Sequence, residues 1–356
     1  KPLPFTTTRS TSATRVNKQG LIEIVENDRP RIDYKDSEDG VFLLEKAATN
    51  YDSDSTNFTI SYMSNSNGIQ SSSLVSENSP SGDNNSVYKI SKVTDSSDPY
   101  IGRSGVNFTS TEMVFSVWLW TDENQPKDVI LLIYRDGISE LTTKKITLTT
   151  TPTRYFVQKT FSNTPSVVSY RIDLTESSSN QYIYAWGKQV EGGNIASSYI
   201  PTQGTIQTRV AETANGSGNS EVFNNSQGVL YINTAALSND GTSRQISISN
   251  GGTTERVYFG FRANSNEFIL SSRDSSYLIA NVSDVTNFNK YVFQYKSGNF
   301  KAFVNGFNYT LTADGGLLPT GLNILNFDAG NGSQDFYGKT KEIAYYDEIL
   351  TDLELE

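Results

Sequence analysis

The sequence contains no cysteine and no histidine among its 356 residues. The absence of cysteine leaves the cellular compartment open, because a large β-sandwich can fold without disulfides. The absence of histidine removes the commonest general base and the commonest metal ligand. Together the two absences exclude Ser–His and Cys–His nucleophilic sites and ordinary zinc sites. Carboxylates, tyrosine, lysine and arginine remain for any chemistry.

Charged residues are also scarce, at 19% of the chain, and the formal net charge is −10. A groove that binds nucleic acid needs clustered Lys and Arg, but Lys144–Lys145 is the only doublet of these residues in the sequence. We therefore expect neither nucleic acid nor an anionic membrane surface as a partner. No apolar run approaches 20 residues, so no membrane insertion is expected either.

Aromatic residues are plentiful, with 20 Tyr and 18 Phe. Disordered chains are poor in aromatics, whereas this mixture with Ser, Thr and Asn is typical of strands joined by polar loops. Val114–Trp120 is the clearest strand, and its large side chains on both faces predict a central position in a sheet. The spacing of further strands predicts an all-β chain of two β-sandwich (jelly-roll) modules with an extended N-terminal arm.

Changes in composition divide the chain into four predicted segments. Residues 1–50 form an N-terminal arm and a small β elaboration, and residues 51–212 form a jelly roll. Residues 213–221 form a linker, because Ala214–Ser220 is rich in Gly, Asn and Ser. Residues 222–356 form a second β-sandwich.

Two sets of motifs frame residues 1–212. The opening motifs are Ser10–Glu23, Pro30–Tyr34 and Leu43–Glu45, and the closing motifs are Trp186–Gly193, Ser197–Thr202 and Thr208–Ala211. The opening motifs resemble the start of a family of phage tail and virion proteins that also occur in prophages and some marine bacteria. The closing motifs look like the end of the same unit, which encloses a carbohydrate-binding-module-like (galactose-binding-like) jelly roll.

A further set of motifs lies within residues 222–356. These motifs are Tyr291–Tyr295, Phe303–Gly306, Phe336–Gly338, Glu342–Tyr346 and Leu350–Glu354. They resemble a concanavalin A-like or laminin-G-like sandwich. Such modules commonly bind glycans or act as spacers.

The two resemblances imply a phage virion structural protein, either a fibre, a spike or a decoration protein, that displays glycan-binding-type modules on the virion surface. The implied partners are other virion proteins and host cell-surface polysaccharide, and the implied role is host attachment. Analogy with phage fibres favours a homo-oligomer, most simply a trimer. Residues 1–20 are polar along their length, and we expect them to dock on another subunit or on the virion body. Neither module type requires catalysis or a cofactor.

Two alternatives stay open. The protein could be a secreted polysaccharide-degrading enzyme, or the accessory binding modules of one, or it could be a structural spacer without a ligand. Glycoside hydrolysis needs two carboxylates about 5–10 Å apart across a cleft. No pair among the chain's 39 acidic residues stands out, so no catalytic residue is assigned. The acids considered are Glu176, Glu191, Asp328 and Asp335.

The three tryptophans are candidates for stacking against sugar rings. Trp118 and Trp186 lie within strong strand patterns, which favours packing in the core. Trp120 lies at a strand end, directly before Thr121–Glu123, and is therefore the predicted carbohydrate-binding residue.

A structural calcium ion is the one cofactor we consider, because oxygen ligands are abundant. Asp52–Asn57 has an acidic spacing, but Asn57 stands where an EF-hand loop needs Gly and Met63 stands where it needs Glu. Jelly-roll binding modules often hold a calcium through loop carboxylates, and the resemblance therefore suggests Asp52, Asp54 and Glu191 as metal ligands. The alternative is that these acids lie in solvated turns.

Overall fold

A computed structural model describes residues 4–66, 68–92, 98–122, 127–175 and 182–356. Within these ranges the chain consists of β-strands and connecting loops, with one short helix near its C-terminus. The predicted all-β class is therefore confirmed. No helix in the described ranges is both long and apolar enough to cross a bilayer.

The elements are numbered in chain order. The strands up to Arg209 are β1 (Thr6–Thr8), β2 (Ala13–Val16), β3 (Ile22–Val25), β4 (Arg31–Asp33), β5 (Val41–Leu44), β6 (Ala48–Asn50), β7 (Ser64–Asn65), β8 (Ile69–Val75), β9 (Val87–Lys92), β10 (Tyr100–Asn107), β11 (Glu112–Trp120), β12 (Lys127–Arg135), β13 (Leu141–Leu148), β14 (Thr153–Thr160), β15 (Val167–Asp173), β16 (Tyr182–Gly192) and β17 (Gln207–Arg209). The later elements are β18 (Thr213–Asn215), β19 (Gln227–Ala236), β20 (Arg244–Ser249), β21 (Arg256–Phe261), β22 (Glu267–Ser272), β23 (Ser276–Asn281), β24 (Asn289–Lys296), β25 (Lys301–Val304), β26 (Phe307–Tyr309), β27 (Ala313–Asp314), β28 (Ile324–Asn326), β29 (Gly338–Tyr346) and helix α1 (Asp352–Leu355).

The chain forms two compact units whose boundaries differ from the predicted segments. The first sandwich comprises residues 12–24 and 47–209, and the second sandwich comprises the residues up to Thr11, 25–46 and 210–356. The predicted N-terminal arm and elaboration are thus divided between the two units. The physical reason is strand pairing, because β4 and β5 extend a sheet of the second sandwich at the edge of β29.

The first sandwich contains two sheets of five described strands each, in the orders β13-β12-β15-β10-β7 and β14-β11-β16-β9-β8. Strand β11 lies between β14 and β16, which confirms the predicted central strand. Its inward side chains, such as Phe115 and Val117, are fully buried in the core. Phe115 stacks on Tyr170 of β15 with ring centroids 4.2 Å apart, which joins the two sheets.

The opposite face of β11 carries Trp118 and Trp120. These two residues pack with Tyr184 and Trp186 of β16 and with Tyr199 in a second aromatic cluster. The large side chains on both faces of the strand are therefore buried in separate clusters. One cluster fills the core, and the other covers the outer face of the sheet.

The second sandwich is built the same way, from sheets ordered β26-β25-β24-β19-β29-β5-β4 and β27-β23-β22-β21-β20-β28. Its core takes alternate side chains from both sheets, including Ile246, Phe259 and Phe293. Phe259 of β21 and Tyr291 of β24 meet with ring centroids 4.4 Å apart. The core is thus continuous between the two layers.

The predicted linker is an ordered part of the second sandwich. Strand β18 pairs with β1, and Ala214 is fully buried in the core. Ser217 exchanges backbone hydrogen bonds with Leu325. Gly218 adopts a positive φ, and a Cβ there would lie 2.4 Å from the ring of Phe223. The small residues that suggested flexibility therefore allow close packing here.

A buried ion network holds the N-terminal residues in the second sandwich. The carboxylate of Glu212 accepts hydrogen bonds from Arg9 Nη1 at 2.6 Å and from Arg31 Nε at 2.9 Å. Arg31 also pairs with Glu45 at 2.8 Å, and the side chains of these four residues are at most 5% exposed. The expectation that the polar N-terminal segment leaves its own chain is not met at Arg9. The reason is that the carboxylate of Glu212, far along the sequence, pairs with its guanidinium inside the second sandwich.

Candidate functional site

A surface groove of about 500 Å³ lies on the first sandwich. Three parts of the unit form its walls: the β2–β3 hairpin, the loop after β6, and the segments around β8, β9 and β16. The residues that line it are Thr14, Ile22, Glu23, Ile24, Asp54, Thr56, Asn57, Leu74, Ser81, Asp83, Asn85, Ser86, Tyr88, Trp186, Tyr199, Pro201 and Gln203.

One side of the groove is apolar and rich in aromatic groups. Trp186 and Tyr199 lie with ring centroids 4.8 Å apart. The indole N–H of Trp186 donates to Ser86 Oγ at 2.9 Å, which fixes the ring against the loop before β9. Ile24 and Leu74 are 62% and 54% exposed. They add accessible apolar area to a lining whose aromatic rings are themselves largely covered.

The other side of the groove is polar. Its lining includes the carboxylates of Glu23, Asp54 and Asp83 and the amides of Asn57, Asn85 and Gln203. Asp83, Asn85 and Gln203 are exposed. Asn85 N–H donates to Asp83 Oδ1 at 2.9 Å, so the loop 83–86 is braced by its own acid. Amide groups can both donate hydrogen bonds to adjacent hydroxyls and accept from them, and carboxylates can accept from them.

The hairpin of β2 and β3 completes one wall. Ile22 N–H donates to Pro80 O at 2.8 Å, and Thr14 Oγ1 donates to Tyr199 O at 2.5 Å. Glu23 is held on this hairpin by Arg15 at 2.6 Å. Hydrogen bonds from Asn17 and Arg15 lower the pKa of Glu23, so its carboxylate is charged at neutral pH.

Lys188 lies beneath the loop that carries Asp54 and Asn57. Its side chain is fully buried, and its Nζ donates to the backbone carbonyls of Asp54 at 2.5 Å and Asn57 at 2.6 Å. Burial lowers the pKa of Lys188 to about 8, although the nearby carboxylate of Asp52 works in the opposite direction. An isolated β-bridge between Asp54 and Gln203 joins this loop to the segment between β16 and β17. Lys188 is therefore a positioning residue for the groove.

The structure places the three tryptophans in different surroundings. Trp186 lines the groove, and Trp118 packs against it with ring centroids 5.2 Å apart. Trp120 is 4% exposed and stacks on Tyr184, with ring centroids 5.5 Å apart, outside the groove lining. Little of the Trp120 ring is open to a sugar, and its role in binding stays a prediction.

The three acids suggested as calcium ligands have separate partners. Asp52 is fully buried and accepts hydrogen bonds from the hydroxyls of Tyr170 and Tyr62. Glu191 is 1% exposed and accepts from Ser197 N at 3.0 Å. Asp54 lines the groove. Across the described ranges, no group of three or more acidic side chains is arranged to hold a metal ion, and calcium binding stays a prediction.

The acids considered for hydrolysis are also dispersed. Glu176 lies outside the described residues. Glu191 belongs to the first sandwich, whereas Asp328 and Asp335 belong to the second. Burial raises the pKa of Asp335, and the charge of Asp328 adds to that effect, although a hydrogen bond from Tyr337 opposes it. Glu191, Asp328 and Asp335 are not among the residues that line the groove.

Sequence reasoning missed most of the groove. Asp83, Asn85 and Gln203 lie in Ser- and Asn-rich loops that match no motif. The sequence carries only an indirect signal for the groove. The segments around Thr14 and Trp186 are far apart in sequence, yet both belong to the motifs of one resembling unit.

The chain has limited similarity to known proteins. No protein-family model matches it, and no curated protein matches it. The similar solved structures include the CBM40 carbohydrate-binding module of the Ruminococcus gnavus IT-sialidase, bound to α2,3-sialyllactose. That match has 18% identity and a TM-score of 0.33, and it covers 40% of this chain and 91% of that one. A CBM4 carbohydrate-binding module is 14% identical with a TM-score of 0.27, over 50% of this chain and 99% of the other.

Proposed function

We propose that the protein is a non-catalytic glycan-binding protein and that the groove of the first sandwich is its binding site. The observation that carries this proposal is the pairing of an apolar wall with planar polar side chains in one groove. Sugars present C–H faces and hydroxyl edges, so they need both kinds of surface. A volume of about 500 Å³ lies within the range of small-molecule sites.

The proposed setting is a phage virion. On this view the chain is a fibre, spike or decoration protein on the virion surface, it assembles as a trimer with other virion proteins, and it attaches to host polysaccharide. The resembling motifs support this setting because they converge on the groove. Ser10–Glu23 supplies Thr14 and Glu23, and the later motifs supply Trp186 and Tyr199.

A glycan array followed by calorimetry tests the binding proposal. We expect the double variant Asn85→Ala/Gln203→Ala to bind the identified glycan about ten-fold or more weakly, because each lost hydrogen bond contributes about 0.5–1.5 kcal/mol. Both residues are exposed, so the fold should be unaffected.

The matched control is Asn163→Ala, which removes an exposed amide from the same sandwich outside the groove. Its affinity should equal that of the unaltered protein. An array without any bound glycan would favour the spacer alternative. A steady release of reducing ends from a host polysaccharide by the purified protein would favour the enzyme alternative.

Labelled micrographs test the setting independently. We expect antibodies against the chain to decorate the surface of purified virions at the tail or the capsid. Labelling of the secreted fraction alone, with bare virions, would contradict the virion proposal and leave the binding proposal standing.

A further inference from the structure

The charged side chains that line the groove are all acidic. Among the described residues, its lining holds the three carboxylates of Glu23, Asp54 and Asp83 and no Lys or Arg. A site that recognises an acidic sugar is expected to place a cation where the ligand's carboxylate will lie, because a buried or half-buried anion needs a partner. The groove instead presents negative charge, from its carboxylates.

The cations nearest to the lining already have partners. Arg15 pairs with Glu23 at 2.6 Å. Lys188 is fully buried below the loop and donates to two backbone carbonyls. Arg154 donates to Ser197 O at 2.6 Å and to Ser116 Oγ at 2.9 Å, with its guanidinium 4.6 Å from the Trp118 ring centroid. The positive charges of these three side chains are therefore already engaged by groups of the protein itself.

The carboxylates suit a ligand that donates hydrogen bonds. Asp and Glu side chains at neutral pH only accept, and sugar hydroxyls donate readily. Two unit charges of the same sign about 4 Å apart repel by about 1 kcal/mol even in bulk water. A carboxylate or sulfate on the ligand would meet this repulsion, whereas a neutral sugar would meet only acceptors.

We propose that the groove selects glycans without carboxylate or sulfate groups and discriminates against sialylated, uronic and sulfated ones. This inference rests on the proposed glycan-binding function and specifies its ligand class. Discrimination comes from repulsion built into the wall as much as from favourable contacts. The acidic character of the whole chain, with net charge −10, acts in the same direction at longer range.

Pairs of related glycans, in which only one member carries carboxylate or sulfate groups, test the proposal. Suitable pairs are lactose with sialyllactose, galactan with galacturonan oligosaccharides, and a glucan with its sulfated form. We expect at least one neutral member to bind, and every acidic partner of a bound glycan to bind at least about ten-fold more weakly in calorimetry at about 0.15 M salt, where screening acts within about 8 Å.

Two variants locate the source of the discrimination. Asp83→Asn should reduce the ratio between neutral and acidic affinities by about five-fold, the factor expected for removing one like charge about 4 Å away. Asp98→Asn, an exposed acid of the same sandwich outside the groove, should leave that ratio unchanged.

Two outcomes would contradict the proposals. An acidic glycan that binds as tightly as its neutral partner, and that binds more weakly to Asn85→Ala/Gln203→Ala, would overturn the charge proposal alone. Failure of all members to bind would overturn both proposals.

Discussion

Replacing Glu212 by glutamine is expected to lower the free energy of unfolding of the second sandwich by about 3–5 kcal/mol, the range for removing one partner of a buried ion pair. Glutamine keeps the size of the side chain but removes its charge. Arg31 would keep its pair with Glu45 at 2.8 Å, whereas Arg9 would keep hydrogen bonds to the backbone carbonyls of Val25 and Glu26 but lose its pair with Glu212. Glu212 also accepts the backbone N–H of Glu45 at 3.0 Å, so a strand junction weakens too.

The charges in this network depend on one another. Burial disfavours the charge of Arg31, yet Glu45 and Glu212 raise its pKa above the ordinary value. Both acids therefore stabilise the positive charge of Arg31 in its buried position. Neutralising Glu212 leaves a buried cation without compensation, and this cost exceeds the loss of the hydrogen bonds themselves.

Amide hydrogen exchange of strands β19 and β24 is the appropriate measurement, because all three tryptophans lie in the first sandwich and their fluorescence would not report on the second. The control is Glu267→Gln, which breaks the ion pair with Arg262 at 2.6 Å, where Arg262 is 39% exposed. A surface pair of this kind contributes about 0–1 kcal/mol. Equal protection losses in the two variants would contradict the role given to the network.

Local patterns in the sequence predicted local structure correctly. The two-faced apolar pattern of Val114–Trp120 predicted a central strand, and β11 is central. Thr351 and Glu354 have the spacing of a capping box, and α1 begins at Asp352 with the backbone N–H of Thr351 donating to the carboxylate of Glu354 at 2.8 Å. These features depend on residues within a few positions of one another, so the information lies in one short window.

The division of the chain between two sandwiches could not be predicted in this way. The pair Arg9–Glu212 joins residues 203 positions apart, and no periodicity carries such a pairing. Composition was misleading at Ala214–Ser220 for a related reason. Gly and Ser indicate flexibility only if their backbone groups remain unpaired, and here Ser217 pairs with Leu325.

The groove was hidden from the sequence for the same reason. Trp186 lies in a strong strand, and the pattern favoured core packing, but whether an outward ring is covered depends on distant loops. Trp120 at its strand end was expected to be open, yet Tyr184 of the neighbouring strand stacks on it. Exposure is a property of the assembled sheet and its covering loops, which the strand pattern alone does not contain.

The second large effect is expected for Lys188→Met. Methionine fills a similar volume but gives up two hydrogen bonds to the groove loop and the positive charge 3.8 Å from Asp52. Asp52 would retain Arg103, also at 3.8 Å, as its cationic neighbour. We expect the first sandwich to lose about 3–5 kcal/mol of stability at pH 7, because each hydrogen bond from a charged donor contributes about 1.5–3 kcal/mol, and tryptophan fluorescence in denaturant measures this loss. The control is Lys144→Met, an exposed lysine over Phe156, which should cost about 1 kcal/mol or less.

The pH dependence of this variant distinguishes a titrating buried lysine from a merely well-packed one. The pKa of Lys188 is about 8 in the folded protein and about 10.4 when unfolded. Between these values the unfolded chain binds more protons, so the stability of the unaltered protein gains from this group as the pH rises, and loses that gain as the pH falls through about 8. From pH 7 to pH 9.5 the gain is about 2 kcal/mol, at about 1.4 kcal/mol per pH unit above the folded pKa.

Lys188→Met lacks the titrating amine, so its stability deficit relative to the unaltered protein should widen by that amount. Raised tyrosine pKa values act above pH 10 in both proteins and cancel in the difference. A deficit that stays constant across this window would mean that Lys188 titrates as it does in the unfolded chain, and that its desolvation beneath the groove loop is offset in full by Asp52.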